Sequence, residues 1–462
     1  MIKVLLIAHV DSYYTAFADL AAWLGARHSV NPIFLFPRHY PNVFRHIAAC
    51  SAAGVTYRAS FNADSIQSRP PGLLRRLTAA VARRLPGVWY WIQQRALKAR
   101  LHAIRRELAE LSPDVIILGG DIVGHDMALY IRAGHDLGIK SAILPGWMAS
   151  AREPAELQLY NPAFSLKRPL NRLFCRLYPQ WHYRHKGHDL IRLPAQEAMA
   201  LERLGLAPPL PWILHSGYAD VIALESAEAR DYGLREGLDP ARLRVVGSHT
   251  HDLLHAGLIK RTERRAALCQ QLGLNPARPL LVCALPPDML YGTGGRPECE
   301  FTDYPSLVAG FLGPIGQILG GRFLVCPHPS ADRSRLTYAS AYGAILTEKS
   351  VAELLPLADL YVASISATIQ WAIACGVPVV NYDVYRYRYT DYVGLAGVLP
   401  AENPEAYFRA LEMLIDDNAY RTARAVDQQA VAPHWGVLDG HATERICTVL
   451  TELATLSVPA HE

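Results

Sequence analysis

The apolar positions of this chain fall into short blocks separated by helix-length stretches. The early blocks are 3–8 (KVLLIA), 30–35, 55–60, 114–119 (DVIILG), 141–144, 221–224 and 244–246. Short continuous apolar runs bounded by turn residues read as buried strands. Helices are predicted at 14–26 and at 127–137, where Gly138 ends the second. A second alternation begins after a helical connection at 253–278. Its strands are predicted at 280–285, 322–326, 344–346, 359–363 and 377–381, with helices near 304–319, 331–341 and 351–356. The tail, 404–417 and 440–456, has helical spacing. Alternating strand and helix predicts parallel sheets covered on both faces, with ligands at the carboxyl ends of the strands. The predicted fold class is α/β: two doubly wound Rossmann-like domains facing a cleft, divided as 1–255 and 256–462.

Residues 354–392 are the most informative stretch. Strand 359–363 (DLYVA) runs into Ser364-Ile365-Ser366-Ala367-Thr368, then a helix at 369–375, a stop at Gly376 and strand 377–381. A hydroxyl-rich turn at a strand's carboxyl end can hold a phosphate through its side chains and backbone N–H groups. The plainer alternative is that Ser364 or Ser366 caps the helix. Beyond the second strand, Arg386 and Arg388 alternate with Tyr385, Tyr387 and Tyr389. Arginines there can clamp a carboxylate or diphosphate, or the segment simply covers the sheet.

Composition narrows the class. Hydrophobic residues make up 51% and charged residues 19%, a globular balance. The net charge of +4 gives no general argument for nucleic acid, and no nucleic-acid motif accompanies it. The 8 cysteines form no C-x-x-C pair and read as reduced core residues, which predicts a cytoplasmic protein. No apolar run is long enough to span a bilayer. Charge is uneven, however. The segment 68–110 carries Arg69, Arg75, Arg76, Arg83, Arg84, Arg95, Lys98, Arg100, Arg105 and Arg106 with no acid before Glu107, around Trp89-Tyr90-Trp91. A basic segment with an aromatic cluster suits peripheral contact with an anionic membrane surface, and equally a long solvated helix whose rings pack inward. The segment 166–192, with Trp181, His182, Tyr183 and His185, extends this basic and aromatic character.

Candidate chemistry sits at predicted strand ends. The first βαβ lacks G-x-G-x-x-G, so no dinucleotide cofactor is expected. His9 and Asp11 follow the first strand, and Asp121 follows Gly119-Gly120, with His125 and Asp126 beyond. Asp121 is the expected base that deprotonates an acceptor hydroxyl, with Asp11, His9, His125 and Asp126 as the other candidates, and each is also a candidate helix cap or loop anchor. In the second half, a glycine-bearing loop spans 286–296 and Pro327-His328-Pro329-Ser330 follows a strand. His-Pro fixes an imidazole on a rigid turn. Gly247-Ser248 also follows a strand and leads into His249-Thr250-His251-Asp252. These lack a third metal ligand at recognisable spacing, so no metal is expected.

Cys326-Pro327-His328-Pro329, 359–368 and Gly376-Val377-Pro378-Val379 resemble motifs of the GT-B glycosyltransferases. The nearest resemblance is to bacterial enzymes that use CMP-sugars or CDP-polyols: sialyl-, polysialyl- and Kdo transferases and teichoic-acid polymerases. The layout resembles them over most of the chain, and the specific motifs lie only in the second half. The resemblance implies a metal-independent transferase without a cofactor. It would move a sugar from a nucleotide-activated donor, CMP- or UDP-linked, to a surface-glycan or lipid-linked acceptor. It further implies that His328 and Pro329 contact the nucleotide, that Ser364, Ser366 and Thr368 hold the phosphate, and that the base comes from the first domain. Two alternatives share the fold: a hydrolysing UDP-N-acetylglucosamine 2-epimerase, and a non-catalytic glycan-binding scaffold. Asp121 after two glycines partly echoes the epimerases' Gly-Gly-Glu, whereas their Glu-Arg-Arg-Glu-Asn run is missing.

Overall fold

The structure is a computed structural model of the 462-residue chain. It describes residues 2–27, 30–40, 42–61, 86–144, 150–215, 217–290, 298–328 and 331–457. Pro329, the glycine-bearing part of the 286–296 loop and most of the basic stretch before Pro86 lie outside the described residues. The chain divides into two compact units. The first comprises Met1–Leu224, Arg230–Ser248 and Thr443–Glu462, and the second Glu225–Ala229 and His249–Ala442.

The first unit is built on β1 (Ile2–Ile7), β2 (Val30–Phe36), β3 (Thr56–Ala59), β4 (Val115–Leu118) and β5 (Lys140–Ile143). The chain then forms an antiparallel hairpin, β6 (His182–His185) with β7 (His188–Ile191), before returning as β8 (Val221–Leu224) and β9 (Leu243–Val245). The main sheet has the order β3-β2-β1-β4-β5-β8-β9, and its pairs are parallel. Its order reverses between β1 and β4. That reversal is the crevice where open parallel sheets take up ligands. Every residue of β4 is buried, as a strand covered by helices on both faces requires. The final helix, Ala442–Leu456, is tied to this unit: Arg445 Nε donates to the Val246 carbonyl at 2.8 Å, and Ser457 Oγ to that of Asp114 at 2.7 Å.

The second unit holds β10 (Leu281–Leu285), β11 (Phe323–Pro327), β12 (Ala344–Leu346), β13 (Leu360–Ala363), β14 (Val379–Tyr382) and β15 (Val398–Ala401). Their order is β12-β11-β10-β13-β14-β15, again parallel, with the reversal between β10 and β13. Phe311, Tyr382 and Tyr407 stack in the core, with Tyr382 and Tyr407 centroids 4.4 Å apart. Offset ring pairs of this kind add roughly 0.5–1.5 kcal/mol to their burial. The sequence predicts every strand of both main sheets except β15, to within a residue or two at the ends. The hairpin β6–β7 escapes it because its strands are short and largely polar, and β15 (VLPA) because Pro400 interrupts its apolar run.

The helix Pro86–Leu111 covers the described end of the basic segment. Ile104 and Leu108 are buried, while Arg100 pairs with Asp126 and Arg105 with Asp136. Glu107 accepts from the Tyr130 hydroxyl at 2.8 Å. Its carboxyl-terminal half therefore packs on the first unit. Near its start Trp91 is 54% exposed and Val88 45%. Among the described residues no helix is long and apolar enough to cross a membrane.

Candidate functional site

The second unit brings three predicted loops to one edge of its sheet. β11, β10 and β13 are neighbours in parallel register, so the loops after them emerge side by side. The loop after β13 departs most from ordinary backbone. Ile365 sits at φ +46°, a left-handed conformation that costs an L-residue with a branched side chain roughly 1–2 kcal/mol. Asn381, at the end of β14, holds it there by accepting from the Ile365 N–H at 2.9 Å. Sequence reading missed Asn381, although a polar residue closing an apolar strand was the available signal.

The hydroxyls of this loop divide into two kinds. Thr368 and Ser366 are 2.7 Å apart, Thr368 also bonds the hydroxyl of the buried Tyr361, and the Thr368 N–H donates to Ser366 Oγ at 3.3 Å. Ser364 Oγ is buried and has no hydrogen-bond partner among the described residues. An unsatisfied buried hydroxyl costs roughly 1–3 kcal/mol, so Ser364 is primed for an acceptor or donor brought by a ligand. The helix Thr368–Ala374 has Ala367 at its cap position with no side-chain cap. Ser364 thus caps nothing, and among the described residues the Ser366 side chain bonds only Thr368, through that residue's hydroxyl and N–H. The helix is 7 residues long, so hydroxyls rather than a long helix dipole carry any anion binding here. Gly376, at φ +67°, ends it as the sequence predicts.

His328 follows β11 directly and is exposed, and its carbonyl accepts from Ala331 N–H at 2.8 Å. Arg386 and Arg388 also have left-handed backbone, at φ +56° and +57°. Asp383 fixes that turn by accepting from the Tyr387 N–H at 3.0 Å and the Arg388 N–H at 2.6 Å. The guanidinium of Arg386 lies 3.7 Å from Glu300 and that of Arg388 3.3 Å from Glu298. These arginines are therefore partly neutralised by the chain's own carboxylates. An anionic ligand has to compete for them.

The first unit has the opposite chemistry at its switch point. β1 leads into His9, and β4 into Gly119, Gly120 and Asp121. Gly119 is required by packing: a Cβ there would sit 2.3 Å from the ring of Tyr13, in the helix Asp11–Arg27. Asp121 is fully buried and accepts from the Tyr218 N–H at 3.0 Å. Asp121 caps no helix, because Met127–Asp136 starts after Asp126. It anchors the loop before β8. Asp11 is paired as well, with His46 Nε2 at 3.1 Å and Asn42 at 3.0 Å.

The two histidines are differently placed. The rings of His9 and His125 meet edge-on at 5.7 Å, and Tyr13 lies 5.1 Å from His9. His9 is 4% exposed, and its Nδ1 is buried with no hydrogen-bond partner among the described residues. Burial, then the neighbouring Arg38 and His125, push its pKa down to about 3. His125 reaches the surface, and its pKa is also lowered, by partial burial and by Arg38 and Arg192. Both imidazoles are consequently neutral at pH 7, and burial leaves His9 the much weaker base, so the exposed His125 is the better placed to accept a proton. Arg38 donates from Nε to the His9 carbonyl at 3.0 Å. Burial brings the Arg192 pKa down to about 10, and its Nε has no hydrogen-bond partner among the described residues. Sequence reading missed both arginines, which follow β2 and β7 as single residues without a motif.

The remaining candidates disperse. Ser248 is 5% exposed and ends the first unit's middle segment, and the helix His249–Ile259 belongs to the second unit. Asp252 accepts from the Ala442 N–H at 2.9 Å, while the fully buried His251 has its Nε2 3.9 Å from Glu225. Among the described residues this run forms no metal-ligand cluster.

No family model matches the chain. No curated protein matches it either. Solved structures do match in fold. UDP-bound MnaA of S. aureus superposes with a TM-score of 0.54 at 11% identity, over 99% of this chain and 98% of that one. UDP-GlcNAc 2-epimerase of Neisseria meningitidis, bound to UDP-GlcNAc, gives 0.53 at 12% identity, over 98% and 100%. A glycosyltransferase of Rickettsia africae gives 0.50 at 10% identity, over 98% of each chain. The two parallel sheets, of 7 and 6 strands, are those of the GT-B fold. That fold is home to both epimerases and glycosyltransferases.

Proposed function

We propose that the protein is a GT-B glycosyltransferase that moves a sugar from a nucleotide-activated donor to a hydroxyl of a surface-glycan or lipid-linked acceptor. The observation that carries this reading is the loop after β13, where a buried, unpartnered Ser364 hydroxyl stands beside a strained Ile365 at the switch point of the second sheet. Ser364 and Ser366, with His328 from the neighbouring loop, receive the donor phosphate. Arg386 and Arg388 are freed from Glu300 and Glu298 when that anion binds. CMP-sugars are the favoured donors, on the resemblance of the His-Pro and Ser-x-Ser-x-Thr motifs. UDP-sugars are the second choice.

The general base is drawn from the pair His9–His125. A neutral imidazole at the first sheet's switch point can take the acceptor's proton as the anomeric carbon loses its nucleotide. His125 is the exposed member and His9 the buried one behind it. Asp121, with its carboxylate enclosed and bonded to the Tyr218 N–H, is assigned to holding the loop. Ser248 remains a candidate substrate contact. The protein is placed in the cytoplasm, working at the inner face of the membrane.

Thermal-shift screening with CMP, CDP, UDP and GDP tests the donor site, since a ligand bound to the native state raises the melting temperature. CMP or CDP is expected to give the largest shift. Incubation with UDP-GlcNAc alone tests the class. Release of UDP and free sugar at catalytic rates without an acceptor assigns the protein to the epimerases instead. No shift with any nucleotide leaves a non-catalytic scaffold.

A further inference from the structure

The part of the first unit between β5 and β8 carries a surface that the donor and base assignments leave unused. From Leu157 to His188 the sequence has no acidic residue, while it has Lys167, Arg168, Arg172, Arg176, Arg184 and Lys186. Within this stretch lies the helix Pro169–Leu177. Its inward face is set by Asn171, Phe174 and Cys175, all buried, with Phe174 packed edge-on to Trp181 at 5.9 Å. Asn171 fastens it by donating to the carbonyls of Ala163 and Ser165, both at 3.0 Å.

The outward face is unusual. Leu173 and Leu177 stand one turn apart and are 55% and 69% exposed, the latter the most exposed large hydrophobic side chain among the described residues. Arg172 and Arg176 occupy the adjoining stripe one residue earlier, and Arg168 precedes the helix. Among the described residues no carboxylate pairs with Lys167, Arg168, Arg172, Arg176 or Arg184; Lys186 alone of the six has one, Glu156 at 2.6 Å. A short rigid helix with exposed leucines edged by unpaired cations is poorly matched to water. It is well matched to a bilayer interface, where leucine enters the acyl boundary and guanidinium stays with the headgroup phosphates.

We propose that the helix Pro169–Leu177 is the element by which the protein docks on an anionic phospholipid surface, inserting Leu173 and Leu177 while Lys167, Arg168, Arg172 and Arg176 meet the headgroups. This rests on the reading of a protein that works at a membrane, and it assigns the contact to this helix rather than to the start of Pro86–Leu111. Charge complementarity selects the occupant: the face offers positive charge and apolar surface together, and no acid for a basic partner.

The test is sedimentation of the full chain with vesicles of phosphatidylcholine containing phosphatidylglycerol, and with phosphatidylcholine alone. Binding to the anionic vesicles is expected, weakening as salt rises. The double substitution Leu173→Gln/Leu177→Gln is expected to lower partitioning by about 100-fold. Arg168→Gln/Arg172→Gln/Arg176→Gln is expected to lower it by about 100-fold at low salt, at about 5-fold per cation. These positions are exposed, so melting temperature and nucleotide shift should match the parent. Trp89→Ala/Trp91→Ala should bind nearly as the parent does. If that variant loses binding while the leucine variant keeps it, the membrane reading stands and this assignment falls. If the parent ignores anionic vesicles, both fall. If the leucine substitutions instead convert a dimer of the parent to a monomer, the face belongs to a second copy and the proposal is overturned.

Discussion

The two sheets reverse their strand order in the same way, yet their switch points are furnished oppositely. In the first unit the crevice is lined by rings and guanidiniums: His9, His125 and Tyr13, with Arg38 beside them. In the second it is lined by small hydroxyls on a strained turn, Ser364 to Thr368, held by Asn381. The difference is instructive because topology is held constant. A doubly wound sheet supplies only a place where loop ends diverge. Neutral imidazoles suit that place to proton transfer, whereas an unpartnered hydroxyl beside a left-handed residue suits it to an oxyanion. The proposed transferase reading assigns the base to the first of these crevices and the donor phosphate to the second.

The largest expected effect separates the two crevices by function. His125→Gln, and His9→Gln to a similar or smaller degree, should lower turnover by about 10²–10⁴ while donor affinity holds. Asp121→Asn should keep near-parental turnover but lose stability, because it disturbs a buried carboxylate bonded to the Tyr218 N–H. Steady-state rates alongside nucleotide titration check this. Turnover abolished by Asp121→Asn in a stable protein would return the role of base to that carboxylate.

Packing comes next. Gly119→Ala forces a methyl to within 2.3 Å of the Tyr13 ring and should destabilise the first unit by about 1–3 kcal/mol. Denaturant unfolding measures it. A neutral result would mean that the Tyr13 ring is free to move and that the crevice is not built as described.

Ser364→Ala sharpens the contrast with an unusual pair of signs. It removes an unsatisfied buried hydroxyl, so stability should hold or rise slightly. Donor affinity should fall by roughly tenfold, about 1–2 kcal/mol for a lost hydrogen bond to a charged phosphate. An ordinary structural serine would lose stability and leave binding unchanged.

A further contrast is in pH. The folded state holds the His9 pKa at about 3 against an ordinary 6.5. Between those values the unfolded chain binds the extra proton, so stability rises with pH across the window and is lost as pH falls from about 6.5. The slope reaches about 1.4 kcal/mol per pH unit for one such group. His9→Gln should flatten it in equilibrium unfolding followed from pH 7 to pH 4.

The fold was legible because a strand buried on both faces must be apolar along its whole length. VIIL at β4 and LYVA at β13 announce themselves for that reason. The turn at 364–368 was legible as hydroxyls at a strand end, but its internal division was not. Which hydroxyl pairs with Tyr361 and which is left over depends on a left-handed Ile365 and on Asn381 from the next strand. Asp121 drew notice through its glycines, yet those glycines make room for Tyr13 rather than aim a carboxylate. Arg386 and Arg388 looked available until Glu298 and Glu300 were brought against them. Side-chain partners distant in sequence are what a single chain's pattern does not encode.

Calorimetric titration of CMP, CDP and UDP into the parent, His328→Ala and Ser366→Ala addresses the central claim, that the carboxyl edge of the second sheet binds the donor's nucleotide. Saturable binding to the parent is predicted, with the cytidine nucleotides tightest. Each substitution should weaken it by about 1–3 kcal/mol with the melting temperature of the free protein unchanged. Parental affinity in both variants, or a parent that binds none of the three, would contradict it.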